Sequence, residues 1–395
     1  MDAVRKMTAG AVDLGEKPSV VSAIAKYHVT ERARQVVNDG MDVIGGKGIC
    51  LGPSNFLGRA YQQIPIGITV EGANILTRSL IVFGQGAIRC HPYLLPEMQA
   101  AQNPDHKQGL VDFDKALFGH IGFTVKNGLR ALWLGMTGSH FATVNVDTAP
   151  EMKRYYQQLT RFSAAFAFMA DISLLVLGGS VKRREKLSAR LGDILAQMYL
   201  ISCTLKRYEA EGRNKDDAPL AHWAIWDAMY KAQQAFDGVI ANFPVRFIAA
   251  FLHRAIFPWG HPYVVPSDEV GHEVAKTLIA PSATRDRLTA ECYLPLTENE
   301  PVGAIELALR ATLQAEPIEA KIREAEKAGH FDNNPRANVR DIASVAFETG
   351  VITAAEFEVM QLRNHLRDVV VRVDDFPFDY NVATANKPAE SRMAA

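Results

Sequence analysis

Cysteine is scarce and never clustered: Cys50, Cys90, Cys203 and Cys292 are the only four in 395 residues. With no CxxC pair, neither a disulfide framework nor a zinc ribbon is supported, and a reducing cytoplasm is the expected compartment. An excess of charge of one sign is missing as well. Lys plus Arg number 43 against 44 Asp plus Glu, which excludes a nucleic-acid binder working through overall basicity and gives no reason to expect a strongly charged partner. No uninterrupted apolar run reaches the roughly 20 residues of a membrane-spanning helix. The nearest, Phe162 to Leu177, is broken by Asp171 and reads as a buried helix. The N-terminus carries Asp2, Arg5 and Lys6 and then small residues, without the apolar core of a signal peptide. GxSxG and P-loop motifs are absent. The eleven histidines form no HExxH, and His91 and His106 stand on either side of a proline-broken stretch, so no metal site is expected.

What the sequence does have is helical periodicity. Its apolar share of 48% is enough for sizeable cores, and its length allows two or three domains. Val29, Ala33, Val36, Val37, Met41 and Ile44 form one stripe of a long helix over 18–44, with Pro18 suited to its first turn and Gly45 to its C-terminal cap. A shorter pattern covers 55–63, and another helix runs from about Gly72 through Ile81 and Val82 towards Ile88. Pro92 and Pro96 then break the pattern, and Asn103-Pro104 reads as a linker. Beyond it, helices are predicted at about 109–135, 150–177, 181–211, 219–240, 244–257, 268–279, 301–327, 338–348 and 353–371. β-branched runs such as Tyr263-Val264-Val265 are isolated. The predicted class is all-α, divided into a helical bundle over 1–98, a larger helical domain over 104–380 and a disordered polar tail over 381–395.

Two features carry chemistry. Between Val43 and Pro96 the only carboxylate is Glu71, inside Ile68-Thr69-Val70-Glu71-Gly72-Ala73-Asn74-Ile75. An acid so isolated either complements the dipole of a helix first turn or sits desolvated with a raised pKa, as a general base requires. The second feature is Ile44-Gly45-Gly46-Lys47-Gly48. Its glycines would let backbone N–H groups approach a phosphate or an adenine, or would simply cap a helix and turn the chain. It is not GxGxxG and follows a helix rather than a strand, so a dinucleotide fingerprint is excluded.

Together the two features resemble the C-terminal signature of the acyl-CoA dehydrogenases. Met41-Asp42-Val43-Ile44-Gly45-Gly46-Lys47-Gly48-Ile49 resembles the family's Q-I-x-G-G-x-G run, and Ile68 to Arg78 resembles its E-G-T-N segment. Leu80-Ile81-Val82-Phe83-Gly84-Gln85-Gly86 looks most like the very-long-chain branch, and the remaining ~300 residues look like the extra helical domain of the large bacterial fatty-acid β-oxidation enzyme. The resemblance implies a mechanism: FAD as cofactor, removal of two hydrogens from C2 and C3 of a fatty acyl-CoA, and a trans-2-enoyl-CoA product. It implies Glu71 as the catalytic base, and Gly45, Gly46, Ala73 and Asn74 as cofactor-binding residues. It also implies an electron-transfer flavoprotein or equivalent acceptor, and a homo-oligomer. Departures from the pattern are Asp42 for the family's Gln, Val70 for an aromatic residue, Ala73 for Thr, and Gln62-Gln63 for Arg-Asp. The family's N-terminal helical and middle β-domains, which hold most flavin and CoA contacts, have no counterpart here. The chain therefore looks like the C-terminal half of a longer protein and by itself is expected not to retain FAD. The alternative is a catalytically silent helical module for dimerisation or partner binding.

Two weaker signals remain. Lys182-Arg183-Arg184-Glu185-Lys186 is either a phosphate-binding patch or the solvated start of a helix. In 245–257 the only polar residues are Arg246, His253 and Arg254, on one narrow arc. That is either a core helix with one wet edge or an interfacial helix making peripheral contact with a membrane.

Overall fold

The computed structural model describes residues 1–331 and 341–376. Among them there are helices and no strand, so the chain is all-α as its periodicity requires. Two compact units form, and they are interleaved along the sequence. The first is Met1–Ala33 with Pro65–Ile279; the second is Arg34–Ile64 with Ala280–Ala395. The chain therefore passes between units inside the helix Ser19–Ile44 and again inside Gly58–Thr69. The units do not follow the 98/104 linker, because contacts distant in sequence, invisible to local periodicity, decide compactness.

The first unit is built on Pro150–Leu177, Glu185–Ala210, Ala218–Ala241 and Arg246–Ile256. Phe162, Met169, Leu191, Ile194, Ile201, Ile225, Met229 and Phe236 fill its centre, and the Phe162 and Phe236 rings stack at 5.8 Å. The apolar run ending at Leu177 is thus a core helix, stopped where Gly178 takes φ +52°. The buried Arg161 spends its guanidinium on the Ile256 carbonyl at 3.0 Å, which offsets part of its desolvation. The long helix His106–Met136 packs against Pro150–Leu177.

The stretch read as one regular helix from Gly72 begins instead at Asn74 and winds as a π-helix from Thr77 to Gln85. Close approach to Glu185–Ala210 accompanies the wide winding. A Cβ on Gly192 would meet the Arg78 carbonyl at 3.3 Å, and the Arg78 guanidinium forks onto both oxygens of Asp193 at 2.8 and 2.6 Å. Such geometry is well matched to bidentate pairing.

The second unit has its own core of Ala315, Ile318, Ile322, Ala343, Ala346, Ile352 and Met360. It is contributed by Pro301–Lys327, Ile342–Glu348 and Ala354–Val371. Thr353 and Glu356 cap the last of these reciprocally. Residues 338–340 of the helix predicted over 338–348, and the predicted tail 381–395, lie outside the described residues.

Among the described residues, three helices escape the periodicity: Asp2–Asp13, Leu94–Ala101 and Ala283–Thr289. Pro96 does not prevent the second of them, because it stands in the first turn, where its missing N–H would have no intrahelical partner anyway. The predicted 55–63 segment is Gly58–Thr69, which continues past Pro65. The helix Arg246–Ile256 is a core helix along one face and leaves another face open. Ala249, Leu252, Ala255 and Ile256 are core, while Phe247 and Phe251 face outward.

Candidate functional site

Glu71 stands at the tip of the turn between Gly58–Thr69 and Asn74–Leu76. Its φ is +55°, followed by +88° at Gly72. An L-residue with a long side chain adopts that region at a cost of about 1–2 kcal/mol, so the turn is imposed from outside. The clamp is one face of Ser19–Ile44. Lys26 Nζ donates to the Gly72 carbonyl at 2.8 Å and to Asn74 Oδ1 at 2.6 Å. Asn74 Nδ2 in turn donates to Thr30 Oγ1 at 2.9 Å and Glu31 Oε1 at 2.8 Å. Thr77 Oγ1 adds a bond to the Gly72 carbonyl at 3.2 Å.

Both sequence expectations for Glu71 need correction in this chain. It precedes the helix rather than sitting in its first turn, since Ala73 is the N-cap. It is also exposed rather than enclosed by apolar neighbours. Among the described residues no side chain pairs with its carboxylate. Apolar flanks in the sequence did not enclose it because Val70, Ile75 and Leu76 themselves point outward, at 48%, 76% and 46% exposure. Asn74, by contrast, is buried with both amide hydrogens spent internally.

In the second unit Gly45 closes Ser19–Ile44 in the left-handed conformation, φ +57°, the helix cap anticipated from the sequence. The chain then makes a 3₁₀ turn, Gly45–Gly48. Asn55 pins it: Nδ2 donates to the Gly48 carbonyl at 2.8 Å and to the Cys50 carbonyl at 3.0 Å, while Oδ1 accepts from the Leu57 and Gly58 amides. Lys47 Nζ ties the same turn to the Val370 carbonyl at 2.7 Å. Beside it lies a groove of about 660 Å³ lined by Asn38, Met41, Asp42, Gly45, Gly46, Ile49 and Tyr61.

The sequence model for "Acyl-CoA dehydrogenase, C-terminal, bacterial type" matches residues 88–376, and that for "Acyl-CoA dehydrogenase, C-terminal domain" matches residues 1–83. The chain belongs to the acyl-CoA dehydrogenases. No solved structure matches it.

Acyl-CoA dehydrogenases generally use FAD, and the residues at the Gly45–Gly46 turn fit such a group. A Cβ built on either glycine meets nothing within 4 Å, so bare backbone faces the groove, with Ile49 and Tyr61 exposed beside it. That leaves an open surface with room for a flat aromatic group. Asn74 fits less well, since its donors are already used, and Ala73 offers only main chain. Sequence reasoning missed the residues that hold both turns: Lys26, Thr30 and Glu31 for one, Lys47 and Asn55 for the other. The first three share a helix face at i, i+4 and i+5, a polar patch that was legible, but nothing in the sequence says what it grips.

Proposed function

We propose that this acyl-CoA dehydrogenase chain is the C-terminal portion of an FAD-dependent enzyme that converts fatty acyl-CoA into trans-2-enoyl-CoA in fatty-acid β-oxidation, with Glu71 as the base. The observation that supports this reading is the placement of Glu71: a carboxylate with no partner among the described residues, on a backbone held in a strained conformation by a network it does not join. Strain of this kind persists only where the surroundings over-determine it, and it clusters at functional sites. A thioester makes the C2 proton only weakly acidic, so a base must be positioned before the proton leaves. Glu71 would take that proton on a carboxylate oxygen. The clamp of Lys26, Thr30 and Asn74 would keep the turn from relaxing as it does so. Bound flavin would supply the acceptor for the hydride from C3.

In the flavin-loaded enzyme, Glu71→Gln is expected to lower kcat by about 10²–10⁴-fold while flavin absorbance and helical content are kept. Near-normal turnover by that variant would remove Glu71 from the role.

We further infer a cytoplasmic enzyme that makes peripheral contact with an anionic membrane. One stripe of His106–Met136 exposes Val111, Phe118, Ile121, Val125, Leu129 and Trp133. Trp259 joins its end by donating to the Met136 carbonyl at 2.9 Å, and Trp133 stacks on Phe141. A soluble surface seldom leaves so long an apolar stripe uncovered. The exposed cations Lys115 and Lys126 lie on that helix, and Arg246 and Arg254 on Arg246–Ile256, the pattern of an interfacial surface on lipid phosphates. The wild-type chain is expected to co-sediment with vesicles containing anionic phospholipid, and Phe118→Asp to stay folded and lose that binding. A wild-type chain that never sediments with such vesicles would end this reading.

A further inference from the structure

Three residues far apart in the sequence meet beside the end of Gly86–Cys90. His91 is the C-cap of that helix, His120 lies midway along His106–Met136, and Asp171 interrupts the apolar run of Pro150–Leu177. Their ligand atoms all lie within 4.8 Å of one another. Asp171 Oδ1 is 2.9 Å from His91 Nε2 and 3.6 Å from His120 Nε2. Asp171 is only 4% exposed, and a carboxylate so buried needs compensation by donors or a cation.

The surroundings orient the cluster. Glu97 Oε1 lies 2.8 Å from His120 Nδ1, Tyr93 stacks on the His120 ring at 5.8 Å, and Thr124 Oγ1 donates to Asp171 Oδ2 at 2.8 Å. With Glu97 holding one ring nitrogen of His120, the other, Nε2, faces the Asp171 carboxylate across 3.6 Å. That gap sets a nitrogen and a carboxylate oxygen on either side of a space that a cation can bridge. A carboxylate behind an imidazole is also the arrangement that fixes metal-bound histidines. A mainly apolar groove of about 430 Å³, whose polar lining is Glu97, His120, Thr124 and Asp171, opens onto the cluster, giving access and room for a water ligand.

We propose that His91, His120 and Asp171 form a binding site for a divalent transition-metal ion of the zinc class, with water as the fourth ligand. Two imidazoles and one carboxylate suit such an ion better than calcium or magnesium, which prefer all-oxygen shells. His91 makes the binding conditional. Its Nδ1 accepts from the Tyr93 and Leu94 amides, at 3.2 Å each, so its Nε2 carries the hydrogen given to Asp171. To ligate, His91 must move that hydrogen to Nδ1, and the two amides at the start of Leu94–Ala101 must turn away. Metal loading is thus coupled to the turn that joins Gly86–Cys90 to Leu94–Ala101.

The test is to strip the purified chain with a chelator and titrate it with Zn²⁺ and, separately, with Co²⁺. Cys90→Ser serves as the background, because the Cys90 thiol is an exposed neighbour. One equivalent of Zn²⁺ should bind in that background. Co²⁺ should show the visible bands of a four-coordinate ion, and loading should speed hydrogen exchange at the Tyr93 and Leu94 amides. Asp171→Asn and His120→Gln should abolish stoichiometric binding, and Glu97→Gln should weaken it by about 10–100-fold. If Asp171→Asn fails to fold, the more accessible His120→Gln still decides the matter. Absence of saturable binding, an octahedral Co²⁺ spectrum, or undiminished binding by a folded His120→Gln variant would overturn the proposal.

Discussion

Glu71 is in the wrong conformation for a glutamate and the right one for a glycine. At φ +55° with its carboxylate unengaged among the described residues, nothing local repays the strain. Glu71→Gly should therefore raise stability, by about 0.5–1 kcal/mol once the extra freedom of the unfolded chain is subtracted. It should also abolish dehydrogenation. Chemical denaturation of the two proteins checks the first half, and an acyl-CoA assay of the flavin-loaded enzyme the second. A loss of stability would mean that Glu71 holds the turn, and the case for a positioned base would weaken. At this scale the sequence was informative about residue type and poor about environment. The Glu71-Gly72 pair and the Gly45-Gly46 turn were legible because few residue types do what they do. The clamp of Lys26 on Asn74 was not, because it joins residues 48 positions apart. The His91–His120–Asp171 cluster was hidden for the same reason, since short spacing cannot reveal residues carried on two helices and the cap of a third.

Helices whose ends are chemically marked were the easiest to read. Pro150–Leu177 and Pro301–Lys327 fall where the periodicity put them, since each opens on a proline in its first turn. Asp2–Asp13 was missed because its small and charged residues bury only Val4. The helix Ser19–Ile44 was readable as a stripe, yet the stripe conceals a titrating group. His28 is buried, its Nε2 meets no partner among the described residues, and burial, aided by the nearby Arg32, lowers its pKa to about 3. The unfolded chain would protonate it near 6.5. Above that value both states hold a neutral ring and His28 has no effect on the pH dependence. Below it the unfolded state gains a proton that the folded state refuses, so stability falls by about 1.4 kcal/mol per pH unit until about pH 3. His28→Leu should flatten that acid limb and leave the slope above pH 7 unchanged. Urea denaturation at pH 4, 5, 6 and 7.5 measures both. Parallel acid limbs in the two proteins would show that His28 is protonated in the folded state.

At the scale of the molecule, the two units share one chain that passes between them three times. A fragment beginning at residue 104, where the sequence places a linker, keeps neither unit whole. It loses Arg34–Ile64 from the second, and Val82 and Phe83, 3% and 2% exposed, from the first. Removal of a buried phenylalanine alone costs about 3–5 kcal/mol. Such a fragment should melt at a lower temperature and less cooperatively than the whole chain, and limited proteolysis should degrade it sooner. Equal melting temperatures would show that the first hundred residues contribute little to either core.

The same interleaving sets a timetable on the ribosome. Arg34–Ile64 is made early, but the rest of its unit begins at Ala280, more than two hundred residues later. At about 5–20 residues per second the early segment waits roughly 10 to 40 s for its partners. During that interval its apolar side chains are open to chaperones and proteases, and slower translation of the intervening helices lengthens the exposure.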